Sequence, residues 1–192
     1  MKKFLVFLLI AGVIAGGFYY VTKIKVDNEL KDATQANTVA AYYKFVTNHK
    51  TAAQSVEAAE RASQLVEKGN DMAEWPDFLA ALGKNKSGPA AAFLAKYLQY
   101  PIAEIRAGAA AGLSNLAKEV PAEVQAGLRD LNVVVASARD DNDPRVRRDA
   151  RCTLFHLGKA NLLDNMKELS PFVIEGYEAC KTKNATNQGK DQ

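Results

Sequence analysis

The chain has 192 residues, enough for one domain with a hydrophobic core once its two ends are set aside. Its 25 Lys and Arg residues and 22 Asp and Glu residues leave a net charge of +3. A charge this small, without a concentrated basic face, argues against a nucleic-acid partner. Abundant alanine and an aromatic content of 8% favour helices over sheets, since strands are enriched in alternating Val, Ile and Thr.

Residues 1–26 have the character of a membrane segment. Lys2 and Lys3 precede an uncharged run from residue 4 to residue 22. As a helix this run spans about 28 Å, close to the hydrocarbon thickness of about 30 Å of a bilayer. Apolar character continues through 18–21, where the polar end of a signal peptide would be due. We therefore expect an uncleaved N-terminal transmembrane anchor.

Two alternatives for this segment stay open. A cleaved signal peptide would use Ala15, Gly16 and Gly17 as the small residues at its cleavage site. Both that alternative and the anchor export the rest of the chain, so we expect its soluble part on the periplasmic or extracytoplasmic side. A cytoplasmic orientation is the third interpretation, because the lysines that follow the run compete with Lys2 and Lys3 under the positive-inside rule.

A helical hairpin is predicted over 27–70. Residues 27–48 contain no Gly or Pro and are expected to form one helix. Thr51 is suited to cap the second helix, and Gly69-Asn70 to end it.

Shorter helices are predicted over 71–182, and 183–192 is a polar tail. Trp75-Pro76-Asp77 opens one helix that Gly83 ends, and Ser87-Gly88-Pro89 opens the next. A further helix carries the apolar residues Val124, Leu128, Leu131, Val135 and Ala138 on one face. Helix breaks are expected at or near three prolines, Pro121, Pro144 and Pro171.

Two segments of this later region share one spacing of apolar and small residues. Six positions correspond at a constant offset of 41 residues: Ile105, Arg106, Ala109, Gly112, Leu113 and Leu116 match Val146, Arg147, Ala150, Thr153, Leu154 and Leu157. Without the arginine, each set falls at i, i+4, i+7, i+8 and i+11, which is one stripe of a helix. The small residues in each stripe, and the glycines of the GAAAG stretch at 108–112, allow a neighbouring helix to approach closely.

The stretch DPRVRRDARCTLFHLG at 143–158 resembles the HEAT-like pattern Asp-Pro-x-Val-Arg-x-x-Ala-x-x-x-Leu-x-x-Leu-Gly at every fixed position. The earlier copy, IAEIRAGAAAGLSNLA, is looser, because Ala103 replaces the proline and Ala117 the final glycine. The resemblance, to repeats of the HEAT and PBS-lyase type, covers about 75–185. It implies an all-α fold, a short right-handed α-solenoid of antiparallel helix pairs behind the N-terminal helix. Proteins similar to this one serve mostly as protein-binding scaffolds.

The resemblance also implies structural roles for three charged residues. In similar proteins, the arginine after the Val or Ile pairs with an acidic group of a neighbouring repeat. Carried over, this gives Arg106, Arg147 and Asp143 as repeat-junction residues, with Asp140, Asp141 and Asp143 as candidate partners of Arg106. A planar guanidinium suits a bidentate contact with a carboxylate.

Three further arginines, Arg145, Arg148 and Arg151, follow one another at steps of three residues. They form either an interaction strip for an acidic partner or lipid headgroup, or a solvated face balanced by nearby aspartates. The solvated face is the commoner outcome for charged helix surfaces.

Other chemistry has little support in the sequence. Cys152 and His156 are spaced i, i+4, and Asp149 adds a third possible ligand, but structural zinc normally needs four protein ligands. We expect no metal, no cofactor and no catalytic set, since no nucleophile–base motif is recognisable. Cys152 and Cys180 either form a disulfide or are small buried thiols; we expect buried thiols, because free cysteine is usually buried.

These features predict a membrane-tethered, non-enzymatic scaffold or accessory subunit of a bacterial envelope complex. Its expected partners are a protein at the membrane and, through residues 1–26, the membrane itself, with neither nucleic acid nor a small-molecule substrate. Two alternatives remain. One is a periplasmic binding module released by signal cleavage, and the other is a lyase-like enzyme subunit, since some HEAT-like proteins resemble bilin lyases.

Overall fold

A computed structural model describes residues 17, 20, 23–49, 54–69, 72–163 and 180. Every regular element within these residues is a helix, which confirms the all-α prediction for this part of the chain. No helix among them is long and apolar enough to cross a membrane. Most of the predicted anchor at 1–26, the helix expected at Pro171 and the tail at 183–192 lie outside the described residues.

The first three helices are α1 over 23–36, α2 over Val39–Asn48 and α3 over Gln54–Glu67. The expectation of one helix over 27–48 is therefore wrong. Asn37 adopts a left-handed conformation with φ of 48°, which the short polar Asn side chain tolerates better than most residues. Thr38 then caps α2, its Oγ1 accepting a hydrogen bond from the Ala41 amide at 3.2 Å.

A short 3-10 turn, Met72–Glu74, leads into α4 over Trp75–Leu82, and α5 covers Gly88–Tyr97. Each of these two α-helices has a proline in its first turn, where the missing N–H has no intrahelical partner to lose. Both helices begin where the sequence predicts them to begin.

The second half contains α6 over Ala103–Glu119, α7 over Pro121–Gly127, α8 over Asn132–Asp140 and α9 over Pro144–His156. A short 3-10 turn, Ala160–Leu163, follows. Pro121 and Pro144 each begin a helix, which confirms two of the three predicted breaks.

One helix of this region is interrupted where the sequence predicts continuity. The face from Val124 to Ala138 is divided between α7 and α8, because Leu128 is extended, with φ of −76° and ψ of 110°. The Asp130 carboxylate then accepts a hydrogen bond from the Asn132 amide at 2.8 Å and so opens α8.

Helix packing centres on α6. α6 packs against α4 on one side and α9 on the other, while α5 packs against α6 and α7. α8 packs against α9, and α2 against α3 and α4. The two predicted stripes lie in these contacts, since every position of both stripes apart from the two arginines is buried. The prediction that the stripes are buried between helices is confirmed.

α4 and α6 approach each other closely. A Cβ added to Gly108 would overlap the backbone of Pro76, and one added to Gly112 would overlap the backbone of Leu79. The packing role predicted for the glycines of 108–112 is confirmed, because no larger side chain fits at either position without moving a helix.

Candidate functional site

The turn before α6 is fastened to the turn before α9 by one arginine. Arg106 donates from Nε to Asp141 Oδ2 at 2.7 Å and from Nη2 to Asp141 Oδ1 at 2.9 Å, a bidentate ion pair. Its Nη1 donates to the backbone oxygens of Tyr100 and Pro101 at 2.9 and 3.0 Å. The Asp141 hydrogen bond raises the pKa of Arg106, so the guanidinium is charged at every physiological pH.

Among the three carboxylates considered for Arg106, the structure brings Asp141 to it. The Asp141 side chain is only 7% exposed, and its Oδ1 also accepts the backbone amide of Asp143 at 2.9 Å. Asp140 instead forms an ion pair with Arg139. Asp141 therefore organises its own turn while it holds the neighbouring one.

Arg147 occupies the corresponding position in α9. Its Nη1 donates to the backbone oxygen of Asp141, six residues earlier, as Arg106 donates to Tyr100, also six residues earlier. The two arginines thus make the same first contact at positions 41 residues apart. Arg147 is half-buried and contacts no carboxylate within the described part of the chain.

Asp143 lies at this same turn as the N-cap of α9. Its Oδ1 accepts the Arg145 amide at 2.8 Å, and its carboxylate also accepts Arg145 Nε and Nη2. The hydrogen bonds from the Arg145 side chain hold the pKa of Asp143 below its usual value. Asp143 therefore serves the junction by starting α9 and placing its own amide on Asp141.

The predicted interaction strip is broken in the structure. Arg145 and Arg148 are exposed, but each is already paired: Arg145 with Asp143, and Arg148 with Asp149 at 2.7 Å. Arg145 also lies 3.9 Å from Glu104. Local pairing of this kind is typical of a solvated face.

Arg151 does not lie on an exposed strip with Arg145 and Arg148, because it is only 1% exposed. Its Nε donates to the backbone oxygen of Ala138 in the last turn of α8 at 2.7 Å, while Nη1 and Nη2 are buried without a hydrogen-bond partner. Burial, together with the nearby charge of Arg147, lowers the pKa of Arg151 to about 10. The contact with Ala138 places a cation at a helix C-terminus, where it is favourable.

The two cysteines are paired, contrary to the expectation of buried thiols. Cys152 in α9 and Cys180 form a disulfide with a Cα–Cα distance of 5.7 Å, within the usual range for such bonds. The two cysteines are 28 residues apart in the sequence. The presence of two cysteines left a disulfide open in the sequence, but their spacing alone does not decide pairing.

Pairing also bears on the metal considered at Cys152, His156 and Asp149. A disulfide sulfur is not the thiolate that binds a metal, which removes the strongest of the three ligands. Within the described residues, no group of three or more His, Cys, Asp or Glu side chains is arranged to hold a metal ion. Burial lowers the pKa of His156 below its ordinary value.

A groove of about 720 Å³, which we call the α3–α5–α7 groove, is the feature that sequence reasoning missed. Its apolar wall consists of Val56 on α3, Pro89, Ala92 and Phe93 on α5, and Ala126 on α7. Three charged residues, Glu60, Glu123 and Arg129, complete the lining and are exposed. No sequence signal joins these residues, because they come from three helices that are separated along the chain.

The base of this groove is rigid. Gly88 and Gly127 bring α5 and α7 together so closely that a Cβ on Gly127 would overlap the Gly88 backbone. Phe93 is held edge-on to the buried Trp75, with ring centroids 6.3 Å apart. Small residues along the groove and a fixed aromatic ring give an open depression whose shape is set by packing.

A second cleft, of about 430 Å³, lies between α1 and α2 and is more polar. Glu29, Asp32, Lys44 and Asn48 contribute to its lining. His49 Nε2 lies 2.8 Å from Glu29 Oε2, and this hydrogen bond lowers the pKa of Glu29. Its lining is more polar and one of its carboxylates is already paired, so the α3–α5–α7 groove is the better candidate for recognition.

No family model, curated protein or solved structure matches the chain. The likeness of 143–158 to a HEAT-like repeat therefore remains an expectation from the residues themselves. What the chain does has to be argued from its own geometry.

Proposed function

We propose that the chain is a short α-solenoid that binds another protein beside a membrane, to which residues 1–26 tether it. It would act as a scaffold or an accessory subunit of an envelope complex. The observation that carries this proposal is the α3–α5–α7 groove, an exposed apolar depression lined by residues of three helices. Exposed apolar surface rimmed by charge is typical of protein-interaction sites.

The solenoid is supported by the equivalence of the two arginine turns. Arg106 and Arg147 donate to backbone oxygens at the same relative position, and the helix stripes around them are buried in the same register. The packing of α6 against both α4 and α9, and of α5 against α7, fits stacked helix pairs. Such a stack presents a long surface rather than an enclosed cavity.

The tether matters for affinity. A protein confined to a thin layer beside a membrane meets a partner in the same layer at a raised effective concentration, so modest contacts suffice. The groove, with few charged residues and no deep enclosure, fits a contact of this modest strength.

The Cys152–Cys180 disulfide supports an extracytoplasmic location for the domain. Disulfides persist in oxidising compartments such as the periplasm and are rare in the cytoplasm, where thiols are kept reduced. Alkylation of the protein from intact cells, with and without prior reduction, tests this support. A mass shift at both cysteines without reduction would contradict it.

The scaffold proposal is tested by comparing the full chain with residues 27–192 alone. Both are expected to fold and to co-isolate the same protein partner from gently solubilised membranes, with less partner recovered by the truncated chain because it is diluted. Sequencing the mature N-terminus decides between a retained anchor and a cleaved signal. If 27–192 recovers no partner and instead turns over a small molecule, the scaffold proposal is wrong and the enzyme alternative replaces it.

A further inference from the structure

The α3–α5–α7 groove has a charge pattern that distinguishes it from the surface around it. Three nearby glutamates are neutralised by a basic partner: Glu57 by Arg61, Glu67 by Lys96, and Glu119 by Lys86, at 2.9, 3.4 and 3.5 Å. These three paired glutamates all lie outside the lining of the groove.

The two glutamates of the groove differ from these three. Glu60 on α3 and Glu123 on α7 are exposed, and neither forms an ion pair with another described residue. They lie on the two helices, α3 and α7, that line the groove together with the apolar residues of α5. An apolar strip between two unpaired carboxylates calls for an apolar ligand edged by cations.

Arg129 makes the charge of the groove differ from one part to another. It lies two residues beyond the end of α7, so the groove is positive beside Arg129 and negative beside Glu60 and Glu123. A segment with basic residues along its whole length would meet Arg129 unfavourably. The fitting occupant therefore has its cations opposite the two glutamates and a neutral or acidic residue at the Arg129 end.

Resting on the protein-binding function proposed above, we propose that the groove binds an amphipathic helix of a partner protein whose apolar face is flanked by Lys or Arg. Three helices about 9 Å apart extend over roughly 18 Å, which a helix of about 12–14 residues covers. Its apolar side chains lie against Val56, Ala92 and Phe93, and its cations pair with Glu60 and Glu123. This is recognition by a groove of a helix with regularly spaced anchors.

A defined set of peptides tests this directly on the full chain in phosphatidylcholine nanodiscs. Three synthetic helices share one Leu/Ala face and differ only in flanking residues, which are Lys, Glu or Gln. A photo-crosslinking residue replaces Ala92 in the groove or, as matched control, the exposed Ala40 on α2. The fraction of chain crosslinked is measured against peptide concentration.

The Lys-flanked helix is expected to crosslink from position 92 and not from position 40, with an affinity about tenfold above that of the Glu-flanked helix. The double variant Glu60→Lys/Glu123→Lys should reverse this order. The matched variant Glu67→Lys/Glu119→Lys, with the same change in charge outside the groove, should preserve it. Ala92→Trp should fill the groove. With the photo-crosslinking residue placed at Ala126 on α7 instead, this variant should no longer crosslink the Lys-flanked helix.

Three outcomes would overturn the inference: equal affinity for all three helices, crosslinks from position 92 to a second copy of this chain, or crosslinks to lipid. None of these outcomes by itself decides whether the chain is a scaffold, which is tested separately by co-isolation of a partner. A partner that is still co-isolated by the Ala92→Trp protein would show a scaffold that binds through another surface, whereas loss of every partner from the unmodified chain would remove the scaffold itself.

Discussion

Arg106 and Arg147 stand at the same position of two helices 41 residues apart, and both donate to a backbone oxygen six residues earlier. Beyond this shared contact they differ. Arg106 also holds Asp141 through both of its remaining nitrogens, whereas Arg147 contacts no carboxylate among the described residues. The difference shows that two helices can share a turn-stabilising contact at equivalent positions, while only one of them also bridges to a neighbouring turn.

The largest expected effect is on the free energy of unfolding, and it comes from two equivalent leucines in the core. Leu113 and Leu154 are equivalent positions and both are fully buried. Leu113→Ala and Leu154→Ala should each lower the free energy of unfolding by about 2–5 kcal/mol, since each leaves a cavity in a packed stripe. Denaturant titration of 27–192 measures both, with the exposed Ala92→Ser as control. A loss below about 0.5 kcal/mol at either site would break the equivalence.

The arginines themselves give the next effect. Arg106→Met removes both nitrogens from a carboxylate that is 7% exposed, so it should cost about 2–4 kcal/mol. Arg147→Met loses a hydrogen bond to one carbonyl and should cost about 1 kcal/mol. Arg145→Met, on an exposed side chain, should have the smallest effect of the three.

A double-mutant cycle separates the bridge from the shared contact. Arg106→Met and Asp141→Asn should couple strongly, because each removes the partner of the other. If Arg147→Met costs as much as Arg106→Met, or no more than Arg145→Met, the proposed difference between the two turns is wrong.

A smaller, pH-dependent effect is specific to the second turn. Hydrogen bonds from Arg145 keep the pKa of Asp143 below its unfolded value of about 3.9. The stabilisation is therefore complete above about pH 4 and is lost as the pH falls through the lower, folded pKa. Asp143→Asn should flatten the acid side of a melting-temperature profile. An unchanged acid slope would show that Asp143 contributes no such linkage.

Helical periodicity accounts for the parts of the fold that the sequence predicts. Burial of the stripes around Leu113 and Leu154, the close approach at Gly108 and Gly112, and the helix starts at Pro121 and Pro144 follow from spacing and residue type. These features depend on neighbours within one helix or one turn, which is the range over which a single sequence is informative.

The breaks that the sequence did not reveal have local causes with no periodic signal. Asn37 interrupts the first helix through its backbone conformation, and Asp130 opens α8 through one side-chain hydrogen bond. Polar residues of this kind also occur within helices, so composition does not separate the two cases. The α3–α5–α7 groove was out of reach for another reason: its walls are brought together only by tertiary packing.

The prediction that Arg151 shares an exposed face with Arg145 and Arg148 came from their spacing of three residues. Each such step turns the helix by about −60°, so Arg151 is about 120° from Arg145 and faces α8 rather than solvent. The equivalent position in α6 is Ala110, which is also buried. Both positions are rotated by about 115° from the middle of the buried stripe, so the period of the stripe does not predict their burial either.

Arg151 also supplies the last and smallest effect, because its burial is poorly compensated. One nitrogen bonds to the Ala138 carbonyl, two are buried without a partner, and the pKa is lowered to about 10, all signs of a cation that gains little from its site. An apolar side chain of similar length is often neutral or stabilising at such a position. Arg151→Met should therefore change the free energy of unfolding by no more than about 1 kcal/mol in either direction, although the residue is as buried as Leu154. The shorter Arg151→Ala, which leaves a cavity, should be the less stable of the two variants in the same titration. A loss above about 2 kcal/mol for Arg151→Met would mean that the guanidinium is fully satisfied in the folded protein, and α9 would then be stabilised by a buried charge at the position where α6 has the apolar Ala110.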